Sequence, residues 1–216
     1  MDREPPTIDI TVPLASGMAC WPGSPGVTLI ARKQMSRGDT TNETLLTMDV
    51  HTGTHVEAPL HFLAGGAPLD AYPPDRFVGA AYVADVGAAP VVTAAVLDAA
   101  AIPRDTVRLL IKTCNARLWR EHPNTFRKDF AGLDVSGAEW IVEHGVALVG
   151  LDYLSIAAFG HAAPVHTVLS AADVLIVEGL ALDSVSPGRY HATILPLRIA
   201  GAEAAPARAM LRALRE

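Results

Sequence analysis

The chain is short of the features that mark several protein classes. Its 216 residues include only two cysteines, Cys20 and Cys114, too few for the disulfide framework of a small secreted domain. No cluster of Lys or Arg occurs and the formal net charge is −6, which excludes the basic footprint of a nucleic-acid binder or a polybasic membrane surface. Charged residues make up 19% and apolar residues 50%, so the chain is neither a disordered tail nor a collagen-like fibre. Long hydrophobic runs are missing as well. The longest apolar region, Val146 to Phe159, is cut by Gly150 and Asp152 and is too short to span a bilayer. The opening MDREPPTIDI has no basic segment followed by an apolar one, so no signal peptide is expected and the cytoplasm is the expected location. What the chain does have is histidine. Three of its eight histidines fall within eleven positions, at 51, 55 and 61.

Runs rich in Val, Ile and Leu predict strands at Thr7–Leu14, Val27–Arg32, Glu43–Val50, Ala80–Val86, Val107–Lys112, Val146–Leu151, Val174–Glu178 and His191–Ile199. Helix signals are fewer. Ser136 to Glu139 fits a capping box ahead of WIVEHG, with Gly145 as the stop, and Val91–Ala100 reads as a short helix with Thr93 as its cap. Ala162–Ala171 reads as a helix around His166 if Pro164 sits in its first turn. Strands outnumber interspersed helices, which predicts an α/β or α+β single domain over residues 1–216 with a mixed sheet. The Pro/Gly-rich pieces Trp21–Gly26 and Ala64–Pro74 read as loops beside a site rather than as linkers.

The chemistry concentrates in His51-Thr52-Gly53-Thr54-His55-Val56-Glu57-Ala58-Pro59-Leu60-His61. Two histidines four apart suit a zinc-binding helix, but Thr-Gly-Thr between them and Pro59 after them disfavour one. In an extended bend, residues two apart face the same way. His51, His55 and Glu57 can therefore converge, and two imidazoles with a carboxylate suit Zn2+ or Mn2+ with positions left open for water. Three imidazoles and a carboxylate packed together without a cation would each need another partner. His122, His144 and His191, each alone, read as structural residues.

HTGTHVEAPLHF resembles the signature H-x-G-T-H-x-D-x-P-x-H of the metal-dependent cyclase/hydrolase superfamily, which includes bacterial kynurenine formamidases (arylformamidases), isatin hydrolases and polyketide cyclases. WPGSP, LLIKTCNARLW, GAEWIVEHGVALVGLDYLSI, the VEGL segment, YHATILPLRI and PARAMLRAL resemble segments of that family in the same order. The resemblance implies a swivelling β/β/α-type single domain and a homodimer or higher homo-oligomer acting on a small-molecule substrate. It also implies a site of one or two metal ions. In it, His51, His55 and Glu57 hold the first metal, and Glu57 bridges to a second held by His166 and Glu178, twelve residues apart as in the formamidases. His61 is left unligated as the catalytic acid/base, and Trp21 resembles the aromatic that packs against an aryl substrate, the alternative being a cover for the core; Phe62, directly after the motif, is placed to line the same mouth. Independently, Glu178 ends the apolar run Val174-Leu175-Ile176-Val177, where a buried carboxylate asks for a cation. His161 is a neighbour of His166 with the wrong spacing to Glu178.

The implied reaction is hydrolysis of an amide or formamide carbon–nitrogen bond in an aryl-type substrate by metal-activated water. A divalent metal lowers the pKa of bound water towards about 7 and polarises a carbonyl, while an imidazole can carry the proton to the leaving amine. Alternatives are opening of a cyclic imide, lactam or lactone, a polyketide-type cyclisation, or a non-catalytic metal-binding scaffold. Two departures from the family pattern stand out. Glu57 replaces the usual Asp with a stem one methylene longer, and Ser24 stands in WPGSP where Asp is common.

Overall fold

In the computed structural model, which describes residues 5–214, most runs read as strands are strands, with ends moved by local pairing. The chain runs β1 (Thr7–Asp9), β2 (Thr28–Lys33), β3 (Glu43–Thr47), β4 (His55–Glu57), β5 (Val78–Asp85), β6 (Val91–Val92), α1 (Ala94–Ala99), β7 (Arg108–Lys112), α2 (Leu118–Glu121) and β8 (Gly132–Leu133). It continues through α3 (Val135–Glu143), β9 (Leu148–Leu151), α4 (Ala162–Ala171), β10 (Leu175–Glu178), β11 (Gly188–Pro196) and β12 (Ala204–Ala213). The first four residues of the segment read for a leader lie outside the described residues. Among the described residues no helix is long and apolar enough to cross a membrane.

Eight strands form one sheet in the order β1-β12-β11-β5-β7-β9-β10-β4, and a further pairing of β12 with β4 closes it into a barrel. β5, β7, β9 and β10 run parallel, while β4, β11 and β12 are antiparallel to their neighbours. The sheet is thus mixed and the domain α+β, as expected, but its closure was not foreseen.

Alternation along the strands sorts the side chains into two cores. Val56, Leu110, Leu175 and Val177 turn into the barrel with Ile194 and Leu211. Leu109, Ile111 and Ile176 turn outward, where Leu97, Ile141 and Leu169 of α1, α3 and α4 cover them. This sorting places the site. His55 and Glu57 flank the inward Val56, and Glu178 follows the inward Val177, so all three carry their side chains to the outer face that α4 covers.

Several expectations need correction. Thr7–Leu14 is a strand only to Asp9, after which Thr11 forms a single bridge to Leu180. The third run ends at Thr47, and the last lies at Gly188–Pro196, three residues earlier than its apolar pattern suggested. Val91 and Val92 belong to a short strand, and the helix after them starts at Ala94 with Thr93 Oγ1 accepting from the Val96 amide. α3 is capped by Asp134, whose carboxylate accepts from the Gly137 amide at 2.9 Å and from the Ser136 hydroxyl at 2.7 Å. An ionised cap two residues upstream outcompetes the hydroxyl as acceptor. Gly145 ends that turn at φ +68°, and α4 forms over Ala162–Ala171 with Pro164 in its first turn. β12 was not among the predicted strands; alanine favours helix, and burial of Ala204, Ala205, Ala209 and Leu211 against the barrel overrides that preference.

Candidate metal centre

The motif loop is held against the end of β10 by two glycines. Gly53 and Gly179 both have positive φ, +66° and +71°, and a Cβ on Gly179 would lie 2.1 Å from the Gly53 carbonyl oxygen. Only the absence of a side chain on Gly179 lets the backbones approach this closely, while a Cβ on Gly53 would press on Leu14 at 2.8 Å. Thr54 ties the same junction, its hydroxyl donating to the Gly179 carbonyl at 2.5 Å and accepting from the Val12 amide at 2.9 Å. Register then sets His55 opposite Glu178 and Ile176 opposite Glu57. We expect Gly179→Ala to lower the unfolding free energy by about 2–4 kcal/mol, combining a strained left-handed alanine with backbone overlap. Denaturant unfolding measures this, and an unchanged midpoint would contradict the packing just described.

The six side chains expected at the site do meet. The ligating atoms of His51, His55 and Glu57 form one group and those of Glu57, His166 and Glu178 a second, each group within 4.8 Å, and Glu57 belongs to both. His51 Nδ1 is 2.8 Å, His55 Nε2 3.4 Å and His61 Nε2 3.6 Å from Glu57 Oε1. On the other side His166 Nε2 lies 3.4 Å from Glu57 Oε2 and 3.2 Å from Glu178 Oε1, while His55 Nε2 is 3.6 Å from Glu178 Oε2. His55, Glu57, His166 and Glu178 are buried, and His51 and His61 are partly open to a cavity of about 500 Å3.

The donors suit a divalent cation. Glu57 Oε2 is buried without a hydrogen-bond partner, a costly arrangement for a carboxylate oxygen. His55 donates from Nδ1 to the Gly53 carbonyl at 3.0 Å, and His166 from Nδ1 to the Ala162 carbonyl at 2.8 Å. Carbonyls only accept, so Nδ1 carries the proton in both rings and each Nε2 is aimed at carboxylate oxygens. Such a meeting needs either a second proton on each ring or a cation between ring and carboxylate.

The electrostatics agree. Burial disfavours charge on His51, His55 and His166, yet the surrounding carboxylates outweigh it and raise all three above the usual 6.5, His166 to about 10. Glu57 is driven well below the ordinary carboxylate value: burial opposes this, but His166, His51 and His55 outweigh it. His61 alone moves the other way, lowered chiefly by burial, so it is neutral at neutral pH. For His166 the folded-state value exceeds the unfolded one, so its stabilising contribution to the metal-free protein is complete below about pH 6.5 and is lost as pH rises through about 10. Cations must displace these protons, so metal affinity should rise with pH and uptake should release protons. Zinc titrations at about pH 6 and about pH 8.5 in buffers of different ionisation enthalpy measure both, and pH-independent affinity would contradict the assignment.

Trp21 lines the cavity from the side and rests on Phe126, Phe130 and Phe159, with ring centroids 5.1, 6.4 and 5.7 Å away. It is both wall and core cover. Phe62 stacks on His166 at 4.4 Å and stands edge-on to His61 at 4.5 Å. Ser24 also lines the cavity, and its hydroxyl donates to Asp49. Asp49 further accepts from the His51 amide at 3.0 Å and the Thr52 hydroxyl at 2.8 Å. Burial would raise its pKa, but these hydrogen bonds outweigh it and lower it. His161 is exposed at the head of α4 and outside the cavity lining. His144 stacks on Trp140, and His191 is exposed on β11.

Sequence reasoning passed over Asp49 and Glu203. Asp49 stands two residues before His51, the ordinary offset for an acidic side chain that accepts from a nearby backbone amide. Glu203 approaches His51 Nε2 at 3.2 Å from 152 residues away, and no local pattern marks it.

A closed mixed barrel with helices on one side, and a His/Glu cluster where β4, β10 and α4 meet, define a fold of the metal-dependent hydrolase and cyclase class. The solved "Potential Metal-Dependent Hydrolase With Cyclase Activity" superposes with a TM-score of 0.82 at 29% identity, covering 98% of this chain and 99% of that one. A "predicted metal-dependent hydrolase" from Bacillus stearothermophilus gives 0.80 at 30% identity, covering 95% and 97%. The chain belongs to the Cyclase family, described as "Putative cyclase", whose pattern it matches over residues 8–158. Cyclase-like protein 2 of Oryza sativa subsp. japonica is 37% identical over 215 residues, covering 94% of this chain and 78% of that one. An isatin hydrolase bound to the product analogue thioisatinate shares the fold, with a TM-score of 0.81 at 17% identity over 98% and 94% of the two chains.

Proposed function

We propose that the protein is a metal-dependent amidohydrolase that cleaves the carbon–nitrogen bond of an amide or formamide in a small aryl-bearing molecule, as arylformamidases do. The observation that carries this reading is the convergence of two donor groups on Glu57 at the end of a cavity walled by Trp21 and Phe62. His51, His55 and Glu57 would hold one Zn2+ or Mn2+, and Glu57, His166 and Glu178 a second. The metal would supply Lewis acidity, polarising a carbonyl and acidifying water. His61, neutral and partly open to the cavity, accepts a proton from water and returns it to the departing amine. Trp21 offers an aromatic face to an aryl group, worth about 0.5–1.5 kcal/mol beyond burial. The test is a panel of N-formyl aryl amines and cyclic imides, run after chelation and after return of Zn2+ or Mn2+. Metal-restored deformylation supports the reading, and turnover confined to the imides would replace it with ring opening.

The same reading makes the chain a homo-oligomer that associates through the hairpin of β2 and β3. Leu29 and Leu46 pair on one face of this hairpin and Ile30 and Leu45 on the other, and all four are exposed. A two-stranded ribbon with both faces apolar is marginal in water unless covered. Sedimentation equilibrium of the wild type and of Leu29→Lys/Leu46→Lys tests this, and a monomeric wild type would refute it.

A further inference from the structure

The three buried or half-buried imidazoles of the metal-ligating set are not held alike. His55 and His166 give their Nδ1 protons to backbone carbonyls at 3.0 and 2.8 Å, leaving Nε2 to face the carboxylates. Among the described residues, His51 has no such carbonyl partner. Its Nδ1 faces Glu57 Oε1 at 2.8 Å, and its Nε2 faces Glu203 Oε1 at 3.2 Å. A neutral imidazole carries one proton, so two carboxylates compete for it. A proton on Nδ1 would be donated to Glu57 and would occupy the lone pairs of two ligands at once. A proton on Nε2, taken by Glu203, frees both.

Glu203 is held where it can decide this. β12 pairs with β4 so that Ala204 lies opposite Glu57, and the Glu203 carbonyl accepts from the Ala58 amide at 2.8 Å. The preceding turn is fastened on its other side, by the Leu69 amide donating to the Ala202 carbonyl at 2.8 Å and by the Gly201 amide donating to Asp70 at 3.1 Å. Its side chain remains 38% exposed, so it carries little of the core.

We infer that Glu203 is a positioning residue that holds the His51 proton on Nε2, so that His51 ligates through Nδ1 while His55 and His166 ligate through Nε2. The inference rests on the metal-centre reading above. A carboxylate on the far nitrogen of a ligating histidine fixes its tautomer and strengthens it as a donor, and removing such a partner typically weakens metal binding about 10–100-fold.

The experiment is a chelator-competition measurement of Zn2+ affinity for wild type, Glu203→Ala and Glu203→Gln. It is paired with long-range 1H–15N spectra of the zinc-loaded wild type and unfolding of the metal-free proteins. Glu203→Ala should bind Zn2+ about 10–100-fold more weakly, and Glu203→Gln should lose less because its amide oxygen still accepts. The spectra should show His51 protonated on Nε2 and His55 and His166 on Nδ1, with metal-free unfolding midpoints unchanged. Wild-type affinity in Glu203→Ala, or a proton on His51 Nδ1 in the loaded protein, overturns this inference alone. Wild type that binds no Zn2+ overturns the metal-centre reading as well. Should Glu203→Ala fail to fold, Glu203→Gln carries the comparison and wild-type affinity there together with an Nδ1 proton is the refuting result.

Discussion

Glu57→Ala is expected to lose most of its metal and to turn over substrate at least about 10³-fold more slowly, since a bound metal contributes several kcal/mol to the transition state. Glu57 is the one side chain common to both donor groups, so its removal breaks both at once. Glu57→Asp should keep metal. The aspartate is one methylene shorter, yet its carboxylate starts from the same outward-facing position of β4, between His51, His55 and His166. Glu57→Gln separates charge from shape: it fills the same space and loses the negative charge that would hold a cation. Elemental analysis and steady-state kinetics of the three variants give the answer, and full metal occupancy in Glu57→Ala would sink the assignment.

His61→Ala should behave in the opposite way. Metal content should stay near that of wild type, because His61 belongs to neither donor group, while turnover falls about 10²–10⁴-fold, the usual worth of a positioned general acid/base. Its ring lies 4.1 Å from that of His51 and its Nε2 3.6 Å from Glu57, at the cavity wall. Burial lowers its pKa below the ordinary 6.5, so the unprotonated base is available at neutral pH. At saturating metal, the acidic limb of kcat/KM that His61 sets should therefore fall below pH 6.5 in wild type and be lost from His61→Ala. Undiminished turnover in that variant would remove His61 from the mechanism, and lost metal would make it a ligand instead.

Which parts of this were legible in the sequence follows from how local each feature is. The motif from His51 to His61 is contiguous, and its Thr-Gly-Thr core together with Pro59 disfavours a helix. His166 and Glu178 were reachable only through the family resemblance, whose twelve-residue spacing survives because α4 and β10 follow one another directly. Closure of the barrel was not reachable, since it depends on β12 pairing with β4 across a sequence separation of 147, from Glu57 to Ala204. The same pairing brings Glu203 to His51, which is why that carboxylate went unnoticed while Glu178 did not. Alanine-rich β12 shows tertiary burial overriding local preference, and Asp134 shows a charged cap displacing a plausible hydroxyl one. The exposed leucines of β2 and β3 look in sequence like any other strand pair. Only the structure shows both of their faces uncovered.

Everything proposed for this site turns on Glu57 joining two metal-binding groups in one centre. An anomalous difference map from crystals of the protein grown with Zn2+ or Mn2+ tests it most directly. Density is expected beside Glu57 within about 2.0–2.2 Å of ligating atoms from His51 and His55, with any second peak between Glu57, His166 and Glu178. Density elsewhere, or none at saturating metal, would contradict it.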